Sequence, residues 1–130
     1  MNQDSLGSIP QIPITIKHGG TFYLPFIYKD STGTVVNLAN YNARMQVYSS
    51  QTASGTAIID IGTYGTNAEQ GNIVFNLSTW QVSITIYSSF TETLPNICSK
   101  GRYEFHFIDN SNNDIPMFEG QVLFETGGLR

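Results

Sequence analysis

Charge is what this sequence has least of. Only 12% of its 130 residues are Asp, Glu, Lys or Arg, about half the ~25% of an average soluble chain, so disorder driven by charge repulsion is excluded. Six Lys and Arg against ten Asp and Glu give a net charge of −4 and a pI near 4.9. That leaves no broad basic surface for a phosphate backbone, so nucleic acid is not expected as a partner. An anionic membrane surface suits this charge no better. No apolar run approaches the ~18–20 residues of a membrane span. The single cysteine, Cys98, cannot close an internal disulfide, and core packing or neighbouring chains must hold the fold instead. Met1 to Gly7 lacks the basic start and apolar stretch of a secretory signal, which implies synthesis in the cytoplasm.

Ser, Thr and Asn together occupy 36 positions. These residues compete with the helical backbone and favour turns, and Thr favours strands. With 40% hydrophobic and 12% aromatic residues the chain can still fill a core. The expectation is an all-β domain.

Residues 1–13 carry Gly7, Pro10 and Pro13 without periodicity and read as an extended arm. From Ile14 short alternating runs appear between clusters of Gly, Asn, Asp and Ser. Ile14 to Lys17 reads as a first strand. Thr21 to Lys29 puts Phe22, Leu24, Phe26 and Tyr28 on one face, and Pro25 inside it predicts an edge strand or a bulge. Asp30 to Gly33 has the chemistry of a turn, followed by a short strand over Thr34 to Leu38. Tyr41, Ala43, Met45 and Val47 then alternate with polar residues, as in a sheet wet on one side. Polar loops are expected at 49–56 and 65–71, on either side of a strand over Ala57 to Ile61. Asn72 to Leu77 follows, with Ile73, Phe75 and Leu77 inward. Residues 79–100 mix a strand-like alternation of Trp80, Val82, Ile84 and Ile86 with flanks resembling loop or a short helical turn. Arg102 to Asp109 and Ile115 to Glu125 form a hairpin around Asn110 to Asp114, with Tyr103, Phe105 and Phe107 on one face. The sum is seven to nine strands, a tail at 126–130, and an antiparallel sandwich over 14–125.

Chemistry has little to work with. His18, Cys98 and His106 lack metal-ligand spacing, so no metal is expected. His106 points away from its flanking phenylalanines, which fits a strand histidine facing solvent or a neighbour. No GxSxG elbow supports a hydrolase, and no catalytic residues are assigned. Asp109 to Asp114 lacks the central glycine and final glutamate of a calcium loop, and reads as a hairpin turn. Asn76-Leu77-Ser78 matches a glycosylation sequon by chance, within a strand of a chain without a secretory signal. Gly19-Gly20 precedes a strand and not a helix, so no phosphate loop and no cofactor are expected. Tyr23, Tyr48 and Tyr64 fall on the outward phase or in loops, where tyrosine favours protein contacts, or glycan contacts as an alternative. Sparse Lys and Glu to guard strand edges point to edges covered by something else.

Several segments carry a likeness: Gly20-Thr21-Phe22, Asp30-Ser31-Thr32-Gly33, Val36 to Val47, Gly71 to Leu77, Gly101 to Phe105, and Phe118 to Val122. Spanning residues 17 to 125, they resemble the small immunoglobulin-like sandwich of tailed-bacteriophage baseplate, tail-fibre-attachment and head-accessory proteins. The chain departs from that family at Leu38-Ala39-Asn40-Tyr41, where Leu-Thr-Gly-Tyr is usual, and in the length of 79–100. The resemblance implies a virion component made in the host cytoplasm. It would assemble symmetrically, as a homo-oligomer in contact with other virion structural proteins, and catalyse nothing. Ile9, Pro10 and Ile12 of the arm, with Tyr23, Tyr48 and Tyr64, are the expected interface residues. A carbohydrate-binding host-adhesion module is the alternative.

Overall fold

The computed structural model describes residues 9–50, 55–63 and 67–127. It is an all-β sandwich of two sheets with one short helix. The larger sheet runs in the order β1 (Ile14–Lys17), β8 (Asp114–Glu125), β7 (Ser99–Ile108), β3 (Asn42–Tyr48) and β4 (Ile59–Gly62). The smaller has β2 (Phe22–Ile27), β6 (Gln81–Ile86) and β5 (Gly71–Asn76), with β6 central. The pairings are antiparallel, as expected, with one exception: β1 runs parallel to β8, Ile14 beside Val122 and Lys17 beside Glu125.

Alternation decides which residues meet. Ala43, Met45 and Val47 of β3, Tyr103, Phe105 and Phe107 of β7, and Val82, Ile84 and Ile86 of β6 are all fully buried. Phe105 stacks on Phe118 of β8 at 4.8 Å, and Phe26 of β2 meets both rings edge-on at 5.5 and 5.4 Å. These contacts join the two sheets, and edge-on and offset pairs add about 0.5–1.5 kcal/mol each beyond burial. β8 carries a bulge opposite Phe105 and His106, with Pro116 beside His106. A bulge accommodates proline, and it shifts the inward phase from Ile115 to Phe118, Val122 and Phe124.

Three expectations are corrected. Thr34 to Leu38 forms no strand, because Val35 makes only an isolated bridge to Lys29. Leu77 is exposed: β5 ends at Asn76, whose side-chain oxygen accepts the backbone N–H groups of Ser78 and Thr79 and turns the chain out of the sheet. Trp80 is not part of β6 but a turn residue at φ 59. Within 79–100, where the flanks read as loop or a short helical turn, the structure has one helical turn, α1 (Ser88–Thr91), anchored by the buried Thr91 hydroxyl donating to the Gly20 carbonyl at 2.8 Å. The tips at 51–54 and 64–66, and residues 1–8 and 128–130, lie outside the described residues.

Two turns share one device. Asp30 Oδ1 accepts the N–H groups of Thr32 and Thr34, with Gly33 at φ 85. Asp109 Oδ1 accepts those of Ser111 and Asn113, with Asn112 at φ 65. The Thr32 hydroxyl and backbone bonds hold the Asp30 carboxyl below its ordinary 3.8, and bonds from Asn113 do the same for Asp109.

Phe105→Ala is expected to lower stability by about 3–5 kcal/mol in urea denaturation, through lost transfer energy and a residual cavity. A carboxyl depressed in the folded state stabilises above its unfolded value, and that contribution disappears as pH falls through the folded one. Amide protection at Thr32, Thr34, Ser111 and Asn113 should therefore fall selectively as pH drops below 3.8, measured by hydrogen exchange against core amides.

Candidate interaction surface

The outer face of the small sheet is built by register. Its three rows are Tyr23–Thr85–Asn72, Pro25–Ser83–Val74 and Ile27–Gln81–Asn76. None of these side chains is ionisable at neutral pH. Tyr23, Val74 and Ile27 are 56%, 49% and 45% exposed. The large sheet is the opposite. Its outer face carries Arg44 paired with Asp60 at 2.7 Å, Arg102 paired with Glu119, and His106 between Glu104 and Asp114. Glu104 and Glu119 sit directly opposite across the β7–β8 ladder, a like-charge juxtaposition that Arg102, paired with Glu119, offsets. The chain's scarce charges are thus concentrated on one sheet.

That concentration also bears on chemistry. His106 Nδ1 lies 2.7 Å from Asp114 Oδ1 and Nε2 lies 3.3 Å from Glu104 Oε1. With a carboxylate at each ring nitrogen, neither is left to activate a nucleophile. Cys98 is exposed on the connector before β7. Among the described residues no cluster of three or more His, Cys, Asp or Glu could hold a metal ion, and no helix is long and apolar enough to cross a membrane.

The expected interface residues separate. Tyr23 stands on the uncharged face, whereas Tyr48 is half-buried on the charged sheet opposite Arg102. Tyr64 lies outside the described residues. Pro10 and Ile12 are engaged by their own chain. Ile12 N–H donates to the Glu119 carbonyl at 2.8 Å, and Glu119 N–H donates to the Pro10 carbonyl at 3.1 Å. Gln11 bridges Glu119 in the same parallel register that β1 keeps with β8. The final residues of the arm therefore extend the first strand, interrupted at Pro13, which has no N–H to give. The Ile12 carbonyl accepts the Tyr103 hydroxyl at 2.6 Å, and burial pushes the Tyr103 phenol well above its ordinary 10.0. Gly120 makes this approach possible, because a Cβ there would stand 2.3 Å from the Ile12 carbonyl oxygen. Pro10, Ile12 and Met117 then face Leu24 and Phe26 across an apolar groove of about 600 Å³ beside β2.

Polar side chains that periodicity could not reveal close one sheet edge. Gln70 accepts the Asp60 N–H at 2.8 Å and donates to the Ile58 carbonyl, and Asn67 donates to the Asp60 carbonyl at 2.9 Å. Two amides thus stand in for a neighbouring strand on β4. The signal, an Asn and a Gln three residues apart in a loop, is indistinguishable from ordinary loop polarity.

No protein-family model and no curated protein matches the sequence. Among solved structures it is similar to Drosophila OTK, extracellular domains 3–5, at 16% identity and a TM-score of 0.33, over 90% of this chain. It spans 33% of that chain's length.

Gly120→Ala is expected to displace Gln11 and Ile12 from β8, costing about 1–3 kcal/mol by overpacking. The check is hydrogen exchange at the Ile12 amide, whose protection should collapse while that of β3 persists.

Proposed function

We propose that this chain is a non-enzymatic structural component of a bacteriophage particle. In this reading it is an immunoglobulin-like module of tail, baseplate or head that assembles through protein contacts with other virion proteins. The likeness of residues 17–125 to such modules supports the setting. The observation that carries the docking role is the uncharged outer face of β2, β6 and β5, with Tyr23, Ile27 and Val74 exposed on it. Interface centres are depleted in charge and enriched in tyrosine, and an ionic sheet on the opposite side keeps the molecule solvated. Three six-residue strands present roughly 15 × 20 Å, on the order of 300 Å², against the ~800 Å² per partner of a stable pairwise complex. Such a face is suited to a subunit held by several small contacts at once.

The test is incorporation. Tagged chain expressed during infection by the phage that encodes it should co-purify with particles at fixed stoichiometry. Ser83→Lys, folded by circular dichroism, should be incorporated far less, since an unpaired lysine buried in a contact costs about 3–5 kcal/mol, roughly a hundredfold or more in affinity. Absence of the unmodified chain from particles would overturn the reading. The row Tyr23–Thr85–Asn72 sets an exposed aromatic ring beside a hydroxyl and an amide, an arrangement that also fits a sugar. Glycan-array binding by the isolated protein, lost in Tyr23→Ala, would favour the adhesion reading instead.

A further inference from the structure

The inward phase of the first strand loses its cover toward the arm. Ile16, Ile14 and Ile12 follow one alternation, yet they are 1%, 8% and 42% exposed. The larger sheet continues past β8 to β1 and the arm, whereas the smaller one stops at β2. Phe26 of β2 lies over Phe105 and Phe118 of β7 and β8, so a further strand beside β2 would lie over the arm. The groove of about 600 Å³ opens at that place, with Leu24, Phe26 and Met117 half-buried on its walls. It runs along β2 from Leu24 to Lys29, about 20 Å, and is therefore on the order of 30 Å² in cross-section. An α-helix, about 10–12 Å across, does not enter such a space. One row of side chains from an extended chain does.

The backbone of β2 suits the same occupant. The bond from Tyr87 N–H to the Gln70 carbonyl sets the parity of the β5–β6 register, because antiparallel partners alternate between bonded and non-bonded pairs. Phe22, Leu24 and Phe26 are therefore the β2 residues bonded to β6. Tyr23 and Ile27 turn N–H and C=O away from β6, on the groove side, and both residues are exposed.

We infer that this groove takes an extended segment of another protein, apolar at alternate positions and carrying an acidic residue at the end that meets Lys29. The segment continues the smaller sheet past β2. One phase of its side chains fills the gap over Ile12 and Met117, and the other widens the uncharged outer face. Backbone bonds then give affinity and the apolar pocket gives specificity. Lys29 sets the acidic end, since among the described residues lining the groove it alone is charged at neutral pH. The neighbouring Asp30 carboxylate is committed to its turn through Thr32 and Thr34. A six-residue segment between sheets about 10 Å apart adds on the order of 200 Å² to the contact, which moves the small outer face toward the ~800 Å² per partner of a stable complex. The inference rests on the proposed docking role and names the chemistry of the partner.

The test is selection of binders to the full chain from a random dodecapeptide library displayed on ribosomes. Enriched peptides should alternate apolar residues and carry Asp or Glu near one end. Titrated into isotope-labelled protein, they should shift the amide resonances of Ile12, Tyr23 and Ile27 and leave Val74 unmoved. Lys29→Glu should weaken binding about tenfold by turning a rim attraction into repulsion, and a peptide with Lys in place of its acid should restore it. Ile12→Glu should weaken binding roughly a hundredfold by placing an unpaired charge in the groove, with both variants folded by circular dichroism. Enrichment of no alternating peptide, or shifts confined to Val74 and Asn72, would overturn the inference. Contacts from residues 1–8 to Phe26 in the free chain, or groove shifts that grow with protein concentration alone, would assign the groove to this chain's own N-terminus or to a second copy and overturn it equally. Particle incorporation and Ser83→Lys are read separately, so each of these failures leaves the docking role of the outer face standing.

Discussion

The stack of Phe105 on Phe118, met edge-on by Phe26, is the contact on which the rest of the molecule depends. It draws β7, β8 and β2 into one core and so fixes which face of each sheet points inward. Strand periodicity then leaves no choice about the other face. With Phe22, Leu24 and Phe26 committed to the interior, Tyr23, Pro25 and Ile27 must be presented outside. The surface proposed for docking is thus the other side of the hydrophobic packing, and a one-residue slip in β2 would abolish both together.

The parts of the fold legible in the sequence are those where one face is buried and the other wet. β2, β3 and β7 have inward residues read directly from alternation. The Pro25 edge assignment was legible because proline's missing donor has a definite geometric meaning. What escaped was non-local. Nothing in Ile14 to Lys17 announces a parallel partner more than a hundred residues away, and Gln70 and Asn67 look like any loop amides until β4 lies beside them. Of the surface, Tyr23 was visible on the outward phase. Its uncharged surroundings were not, since they arise only when β2, β6 and β5 are placed side by side. Leu77 and Trp80 misled because each continues the alternation of a strand that a turn has already ended or not yet begun.

The two outer faces obey different physics. Pairs such as Arg44–Asp60, both partly exposed, contribute little individually and weaken with salt. Contacts through Tyr23, Val74 and Ile27 would depend on apolar area and hardly at all on ionic strength. The division also bears on specificity, since an uncharged face rejects few partners by repulsion and must discriminate by shape and backbone register.

The parallel seam between the first and last strands has a consequence for connectivity. Gln11 lies beside Glu119 and Lys17 beside Glu125, so both segments travel in the same direction for about 20 Å. The polypeptide enters the sandwich at one pole and leaves at the other. Domains of this kind can be strung in line, like beads on an axial thread, with pull on the thread borne as shear along the seam.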